Sequence, residues 1–253
     1  MTREIKILPD ETELHKAAAQ EFASLSKDAI EKHGKFTVAL CGGSTPRGAY
    51  ALIADQQPSS PAWKNIEMFF GDERNVPPDD KDSNFRMANE AMLSKLPLPA
   101  GNIHRMEGEL DANVAAARYE DVLRSAFKLQ GDTFPRFDLI FLGIGEEGHT
   151  ASLFPGTTAL KENSRLVVGN WVEKLKTNRI TFTFPVLNNA AVVMILVSGA
   201  KKAPILKQIF TSADQEIPVQ RVLPSHGRLL WLLDQAAAQQ LPAAISSATP
   251  GSL

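Results

Sequence analysis

The sequence predicts an α/β protein with a mostly parallel sheet and helices on both faces. Along most of its 253 residues, short runs that are apolar at every position alternate with longer helical stretches. Strands that are apolar throughout are typical of sheets covered on both faces, and strands separated by helices pair in parallel. No linker interrupts this alternation, so we expect one domain over residues 1–241 and a flexible tail over residues 242–253.

The individual elements follow from local patterns. Asp10 and Glu13 form a capping-box pattern that opens a helix ending at about His33, before Gly34. Further helices are predicted over residues 46–54, 84–94, 112–129 and 200–210. Compact apolar runs predict strands over residues 36–40, 66–70, 137–142, 180–184, 191–197 and 229–233. Ligands of such sheets bind beyond the carboxyl ends of the strands, so the residues after each strand are the candidate site.

The composition argues against several functional classes. Hydrophobic residues make up 43% and charged residues 22% of the chain, as in ordinary globular proteins. The formal net charge of −2 argues against a nucleic-acid partner. The longest apolar stretches, such as residues 190–197, are far shorter than the ~20 residues that cross a bilayer, so we expect no membrane partner either.

Cysteine use and the first residues favour a cytoplasmic protein. Cys41 is the only cysteine, so no internal disulfide can form, and residues 1–10 lack a signal-peptide pattern. No HExxH sequence and no paired Cys/His spacing is present, so we expect neither a metal nor another cofactor. We expect a monomer or a small homo-oligomer.

A glycine-rich turn follows the first predicted strand. Gly42 and Gly43 permit tight turning and close approach of a ligand. Thr45 and Pro46 suit the N-cap and the first position of a helix. Together with Ser44, this turn would direct backbone N–H groups and a helix dipole at a phosphate. An ordinary strand-to-helix turn is the alternative interpretation.

Charged residues follow the second predicted strand. Asp72 and Arg74 lie almost directly after it, and burying such charges is costly unless they pair or meet a ligand. The planar guanidinium of Arg74 is suited to bind phosphate, and Asp72 to orient a base or a sugar hydroxyl. Asn84, in the segment that follows, is a further candidate for substrate contact. A structural ion pair is the alternative interpretation.

The strand predicted over residues 137–142 is followed by three glycines, Gly143, Gly145 and Gly148, spaced as G-x-G-x-x-G. We reject a dinucleotide site, because no strand ending in an acidic residue follows about 20 residues later to bind the ribose. His149 comes directly after the third glycine, and histidine titrates near neutral pH, as a general base requires. A structural histidine is the alternative interpretation.

Two further cations are candidate anion ligands. Lys202 follows the strand predicted over residues 191–197, in the first turn of a helix whose dipole its charge opposes unless an anion lies between. Arg179 lies at the start of its own predicted strand. For both side chains, a solvated surface position is the alternative interpretation.

These segments resemble the 6-phosphogluconolactonase family of the pentose phosphate pathway. Five motifs carry the resemblance, in the family's order from Val38 to about Phe210: ALCGGSTPRGAY, FFGDERNVPPDDKDSN, FDLIFLGIGEEGHTASLFPG, RITFTFP and SGAKKAPIL. The resemblance implies a modified Rossmann-like fold, shared with ribose-5-phosphate isomerase and glucosamine-6-phosphate deaminase. It also implies metal-independent hydrolysis of a phosphorylated sugar lactone, 6-phospho-D-glucono-1,5-lactone, to 6-phosphogluconate.

The resemblance assigns catalytic roles by position. His149 matches the family's catalytic histidine, and Asp72 and Arg74 match the acidic and basic residues of its GDER segment. The family usually has Asp where this chain has Glu147, two residues before the histidine. The extra methylene keeps the charge but moves it, so the sequence leaves a catalytic role of Glu147 open.

The resemblance also assigns the phosphate side of the site. Gly43 and Ser44 match the family's phosphate-side turn, and Arg179 and Lys202 match its sugar-phosphate cations. A neutral His149 would then remove a proton from the attacking water, while the bound phosphate anchors the far end of the substrate.

Two other functions fit the same segments. The first is an amino-sugar-phosphate isomerase or deaminase, whose members carry an Ile-Ala-Phe-Asn-Glu-type segment after the Gly-His pair. Residues 150–155 of this chain read Thr-Ala-Ser-Leu-Phe-Pro and lack that glutamate. The second is a non-catalytic sugar-phosphate-binding module. It would require a damaged site, whereas His149, Asp72 and Arg74 are all present.

Overall fold

The structure, a computed structural model, describes residues 2–56, 61–212, 216–242 and 245. The strands in these ranges are β1 (Thr2–Leu8), β2 (Phe36–Leu40), β3 (Ile66–Phe70), β4 (Asp72–Arg74), β5 (Leu139–Leu142), β6 (Val167–Val172), β7 (Thr177–Phe182), β8 (Val192–Val197) and β9 (Arg228–Asp234). The α-helices are α1 (Glu11–His33), α2 (Ser44–Gln56), α3 (Asn84–Ala91), α4 (Ala112–Phe127), α5 (Phe184–Asn188), α6 (Ala203–Thr211) and α7 (Gln235–Ala238).

Within these ranges, six strands form a central sheet in the order β1-β9-β8-β5-β2-β3, and every neighbouring pair is parallel. Three of the inner strands, β2, β5 and β8, are buried at every position, as their largely apolar sequences predict. Helices pack against this sheet. The Phe22 ring of α1, for example, lies 5.4 Å from the Phe36 ring and 6.4 Å from the Phe141 ring, centroid to centroid. The mostly parallel α/β sheet is confirmed.

Strand β1, at one edge of this sheet, is missing from the sequence prediction. It pairs with β9 along its whole length, from Thr2 opposite Arg228 to Leu8 opposite Asp234. Its sequence alternates charged and apolar residues, and of its residues only Ile5 is buried. An edge strand needs no continuous apolar run, so this segment does not stand out from a polar N-terminus.

A second sheet has three antiparallel strands in the described chain, in the order β4-β7-β6. The strand predicted over residues 180–184 belongs to this sheet as β7 and not to the parallel one, and Phe184 begins α5 instead. An apolar run indicates a strand but does not indicate the sheet to which it belongs or the direction in which it pairs. The sequence therefore could not separate β7 from the parallel strands. Strands β4 and β6 are not predicted, because β4 is entirely charged and Gly169 and Asn170 interrupt β6.

Gly71 connects the two sheets. Its N–H donates to the carbonyl of Leu40 in β2 at 2.8 Å, and its own carbonyl accepts from the N–H of Phe182 in β7 at 2.8 Å. The chain therefore leaves the central sheet at Gly71, and β4 carries Asp72 and Arg74 past the carboxyl end of β2.

The helices follow the sequence prediction with shifted ends. The predicted cap of α1 is confirmed, since the Asp10 carboxylate accepts from the N–H of Glu13 at 2.9 Å. Gly34 ends this helix with a left-handed φ of 83°. Helix α6 begins at Ala203 and not at residue 200, because Pro204 lacks an N–H and fits only a first turn. Helix α3 ends at Ala91 and not at residue 94.

The predicted tail over residues 242–253 lies outside the described residues, except for residues 242 and 245. The division at residue 241 therefore stays a prediction. In the part of the chain that the structure describes, no helix combines the length and the hydrophobicity needed to cross a membrane.

Candidate active site

A cleft of about 280 Å³ lies beyond the carboxyl ends of β2, β5 and β8. These three strands are neighbours and parallel, so segments far apart in the sequence meet at this edge of the sheet. The cleft is lined by residues 41–46 after β2, Asp72 and Arg74 of β4, residues 143–145 with His149 and Ala151 after β5, and residues 196–198 with Lys202 at the end of β8. The four strand ends selected from the sequence therefore share one cavity.

The turn before α2 directs backbone N–H groups at the cleft. Gly43 has a φ of +111°, which favours glycine, and α2 begins at the next residue, Ser44. Thr45 thus lies in the first turn and not at the predicted N-cap. A Cβ atom on Gly42 would lie 2.0 Å from Oδ1 of Asn84, so the turn needs glycine here. The first-turn N–H groups have no partner within the helix, which makes this end suited to bind an anion.

Asp72 is buried, and both of its carboxylate oxygens accept hydrogen bonds. Oδ2 accepts from Oγ of Ser152 at 2.7 Å, and Oδ1 accepts from Nδ2 of Asn84 at 3.3 Å. The N–H of Ser152 donates to Oγ1 of Thr181 at 3.1 Å, so Ser152 ties the His149 loop to the second sheet. Asn84 is only 2% exposed. The structure therefore places Asn84 behind Asp72, as its support, and not on the cleft wall.

Glu73 is buried against the start of α3. Its carboxylate accepts from the N–H groups of Arg74, Asn84 and Phe85 at 2.7–2.8 Å, and from Oγ of Ser83 at 3.1 Å. Burial raises the pKa of Glu73, while these backbone hydrogen bonds oppose the increase. The Glu73 carboxylate thus fastens β4 to α3. Strand β4 carries the cleft residues Asp72 and Arg74.

Replacing Glu73 with alanine should destabilise the protein by about 3 kcal/mol, because three backbone N–H groups lose their buried acceptor at once. Urea unfolding measures this free energy. Glu90 offers a control, since its carboxylate forms an exposed pair with Arg86 at 2.7 Å. Glu90→Ala should leave the unfolding midpoint nearly unchanged. Equal midpoints for the two variants would contradict the fastening role of Glu73.

Two arginines lie opposite each other across β4 and β7. Arg74 and Arg179 are register partners, and burial, together with the charge of Arg74, lowers the pKa of Arg179. Nη1 of Arg74 donates to the carbonyl of Asp82 at 2.8 Å, and Arg74 lines the cleft, whereas Arg179 lies outside its lining. Like charges directly opposite on a ladder repel each other. An anion beside Arg74 would relieve this repulsion.

Glycines shape the loop that holds His149. The N–H of Gly145 donates to the carbonyl of His149 at 2.9 Å, and the N–H of Gly148, whose φ is +78°, donates to the carbonyl of Gly145 at 3.1 Å. A Cβ atom on Gly145 would lie 2.1 Å from both Nδ1 and Cε1 of the imidazole. The ring also stacks on Phe154, with centroids 3.9 Å apart. The His149 ring can therefore occupy this position only because residue 145 is glycine.

A carboxylate faces the inner nitrogen of this ring. Nδ1 of His149 lies 3.2 Å from Oε2 of Glu147. Burial lowers the pKa of His149, although Glu147 opposes the decrease, so the ring is neutral at pH 7. Burial opposes ionisation of Glu147 too, yet a hydrogen bond from Lys174 and a backbone hydrogen bond lower the pKa of its carboxyl to about 2. A negative charge beside Nδ1 favours the tautomer with the proton on Nδ1 and the lone pair on Nε2.

Lys202 closes the other side of the cleft. Its ammonium donates to the carbonyl of Ile144 at 2.8 Å, which joins the end of β8 to the His149 loop. Burial lowers the pKa of Lys202, and Glu146 and Glu147 oppose this decrease. The ammonium has three N–H donors, so donors remain for an anion in the cleft.

Sequence reasoning misses two contacts of the site, those of Ser152 with Asp72 and of Lys174 with Glu147. Each joins segments that are distant in the chain, and the only sequence signal is that Ser152 follows His149 in the same motif. Among the described residues, no group of three or more His, Cys, Asp or Glu side chains is arranged to hold a metal ion.

Comparison with known proteins decides the family. The model of the family described as glucosamine-6-phosphate isomerases/6-phosphogluconolactonase matches residues 9–231. The chain belongs to this family. A 6-phosphogluconolactonase from Nostoc sp. is 44% identical over 245 residues, which cover 95% of this chain and 99% of that protein.

Two solved structures share the fold described above. That of a 6-phosphogluconolactonase from Trypanosoma cruzi has a TM-score of 0.87 at 26% identity, over 96% of this chain and 99% of that one. That of a monomeric glucosamine-6-phosphate deaminase has a TM-score of 0.76 at 22% identity, over 94% of this chain and 99% of that one, which shows the fold alone. Because lactonases and a deaminase share the fold, the reaction must be argued from the site.

Proposed function

We propose that this family member hydrolyses 6-phospho-D-glucono-1,5-lactone to 6-phosphogluconate, with His149 as the general base. The relatives that bear the name 6-phosphogluconolactonase support the reaction. One observation carries the proposal for the base. The neutral ring of His149 stands 3.2 Å from the Glu147 carboxylate, in the same cleft as Arg74 and Lys202.

The phosphate occupies the cationic side of the cleft. The first turn of α2 with Gly43 and Ser44 offers backbone N–H groups, and Arg74 and Lys202 add two charges. Arg179, outside the cleft lining but opposite Arg74 on the ladder, adds a third positive charge nearby. A phosphate dianion relieves the repulsion between the two arginines, and its binding energy aligns the lactone carbonyl with His149.

The reaction begins when Nε2 of His149 takes a proton from a water molecule, whose oxygen attacks the lactone carbonyl carbon. An oxyanion forms on the former carbonyl oxygen. The N–H groups of Gly145 and Gly148 already donate within the loop, and Arg74 and the α2 terminus hold the phosphate, so the positive charge of the newly formed His149 imidazolium stabilises the oxyanion. The tetrahedral intermediate then expels the ring oxygen as the C–O bond breaks. The imidazolium returns its proton to that oxygen, which becomes a hydroxyl.

Two carboxylates support the charged state of the base. Glu147 faces Nδ1 of His149 and stabilises the imidazolium that exists between the two proton transfers. Asp72, whose carboxylate Ser152 and Asn84 hold, lines the cleft and favours the same charge from β4. We assign Asp72 the further task of accepting a hydrogen bond from a sugar hydroxyl.

The reaction is tested with lactone generated freshly by enzymatic oxidation of glucose 6-phosphate. Adding the protein should accelerate the loss of lactone well beyond the spontaneous rate, with release of one proton for each carboxylate formed. Glucosamine 6-phosphate, incubated in parallel, should release no ammonia. Binding of 6-phosphogluconate without acceleration would favour a binding module, and ammonia release would favour a deaminase. Either result would refute the proposed function.

A further inference from the structure

The hairpin between β6 and β7 reaches the His149 loop. The ladder brings Val172 opposite Thr177, and Glu173–Leu175 form a 3-10 turn at the tip. This tip is tied together by its own side chains, because the Glu173 carboxylate accepts from Nε1 of Trp171 at 2.8 Å and also pairs with Lys176. The tip therefore has a defined shape, and it carries Lys174.

Lys174, at the tip of this hairpin, bonds to Glu147, which lies beside His149. Its Nζ lies 2.8 Å from Oε1 of Glu147, and the other oxygen of that carboxylate, Oε2, lies 3.2 Å from Nδ1 of His149. We propose that Lys174 is a positioning residue, which holds the carboxylate of Glu147 against His149. The proposal rests on the proposed function, in which His149 is the base.

The length of the Glu147 side chain explains why a second contact is needed. A glutamate side chain has three rotatable bonds, and that of Glu147 is 26% exposed. Holding such a chain in one rotamer costs conformational entropy, so a single contact at Nδ1 of His149 would leave the carboxylate free to turn to solvent. With Lys174 on one oxygen and His149 on the other, both ends of the carboxylate are placed.

Lys174 approaches Glu147 from the solvent side. The Lys174 side chain is 67% exposed, so it reaches Glu147 from outside the cleft and leaves the substrate volume unchanged. The substrate-facing wall holds a different lysine, Lys202, which bonds to Ile144. The two ammonium groups thus act on opposite sides of the loop.

The charges around His149 determine the sign of a pH test. Glu147 faces the ring from its own loop, Asp72 from β4, and Lys202 from the turn after β8. Lys174 acts on the ring through Glu147, and Glu146 is near both lysines. If the carboxylate turns away, the imidazolium loses stabilisation and the pKa of His149 falls. If the carboxylate stays in place without Lys174, its full negative charge acts on the ring and that pKa rises.

The test compares Lys174→Met with the wild type in the lactone assay, with the spontaneous rate subtracted. We expect kcat to fall about two- to five-fold, the range that an exposed ion pair reaches, while KM stays within about twofold. The acid limb, which is the part of the pH profile where kcat/KM falls as His149 becomes protonated, should move to lower pH. This is the direction expected when the Glu147 carboxylate is released. Lys174→Arg, which keeps the charge and the reach, should restore both values.

Two further variants separate positioning from a merely structural role. Lys16→Met removes an exposed lysine that bonds to Glu13 at 2.7 Å, far along the chain, and should match the wild type. In a Glu147→Gln background, Lys174→Met should have no further effect on kcat, because the pair acts as a unit.

A normal kcat and acid limb in Lys174→Met would overturn the proposal, as would a limb that moves to higher pH. Additive effects with Glu147→Gln would overturn it too. These outcomes differ from failure of the proposed function. In that case the wild type itself would not accelerate lactone loss, or a His149→Ala variant would retain turnover.

Discussion

Replacing His149 with alanine should lower the protein-dependent rate of lactone hydrolysis by about 10²–10⁴-fold, the range that general-base catalysis contributes. Sugar lactones also open in water alone, so the measured quantity is the excess over the spontaneous rate. In the wild type, kcat/KM should decline only below the ordinary histidine pKa of ~6.5, because burial lowers the pKa of His149. This acid limb should be absent from the variant.

The control for this experiment is binding of the product. Calorimetry of 6-phosphogluconate should give nearly the same affinity for His149→Ala as for the wild type, because Arg74, Lys202 and the α2 turn remain. Full turnover in the variant would exclude His149 as the base. Lost turnover together with lost product affinity would instead indicate a collapsed cleft. It would contradict the proposal that the phosphate is bound independently of His149.

Adding a methyl group to Gly145 should be nearly as damaging as removing the base. The new Cβ atom would lie 2.1 Å from the His149 ring and 2.8 Å from Oε2 of Glu147, so the ring must move. Phe154 stacks on one face of the ring, so the ring has no room to move in that direction and must leave its native position. A shift of about 1 Å in a catalytic group can cost about 10²-fold, so we expect kcat of Gly145→Ala to fall by that factor.

Gly101 supplies a control outside the cleft. A Cβ atom there meets no atom within 4 Å, and its backbone does not require glycine. Gly101→Ala should therefore retain the kcat and the thermal unfolding midpoint of the wild type. Equal losses of kcat in the two variants would show that the loss in Gly145→Ala does not come from displacement of the His149 ring.

The position of the candidate site could be predicted because it depends on strand ends. Inner strands of a parallel sheet are largely apolar, so β2, β5 and β8 are visible in the sequence and their carboxyl ends are known within a residue or two. Parallel pairing brings those ends to one edge. Gly43, Lys202 and His149 meet there for this reason, without any information on their contacts.

The contacts behind the cleft could not be predicted in the same way. The sequence offers Asn84 as a candidate for substrate contact, whereas in the structure its amide donates to Asp72, a pairing that depends on how α3 packs against β4. Strand β4 consists of three charged residues, so no apolar signal marks its pairing with β7, which aligns Arg74 with Arg179. Such pairings depend on tertiary distances, which neither propensity nor spacing contains.

The pairing of β1 with β9 has a consequence for synthesis of the chain. Thr2–Leu8 are synthesised before their parallel partner, Arg228–Asp234, which follows more than two hundred residues later. Strand β1 therefore has no partner until all the intervening residues have been made. Contacts of such separation slow folding, so the edge of the central sheet at β1 is completed late.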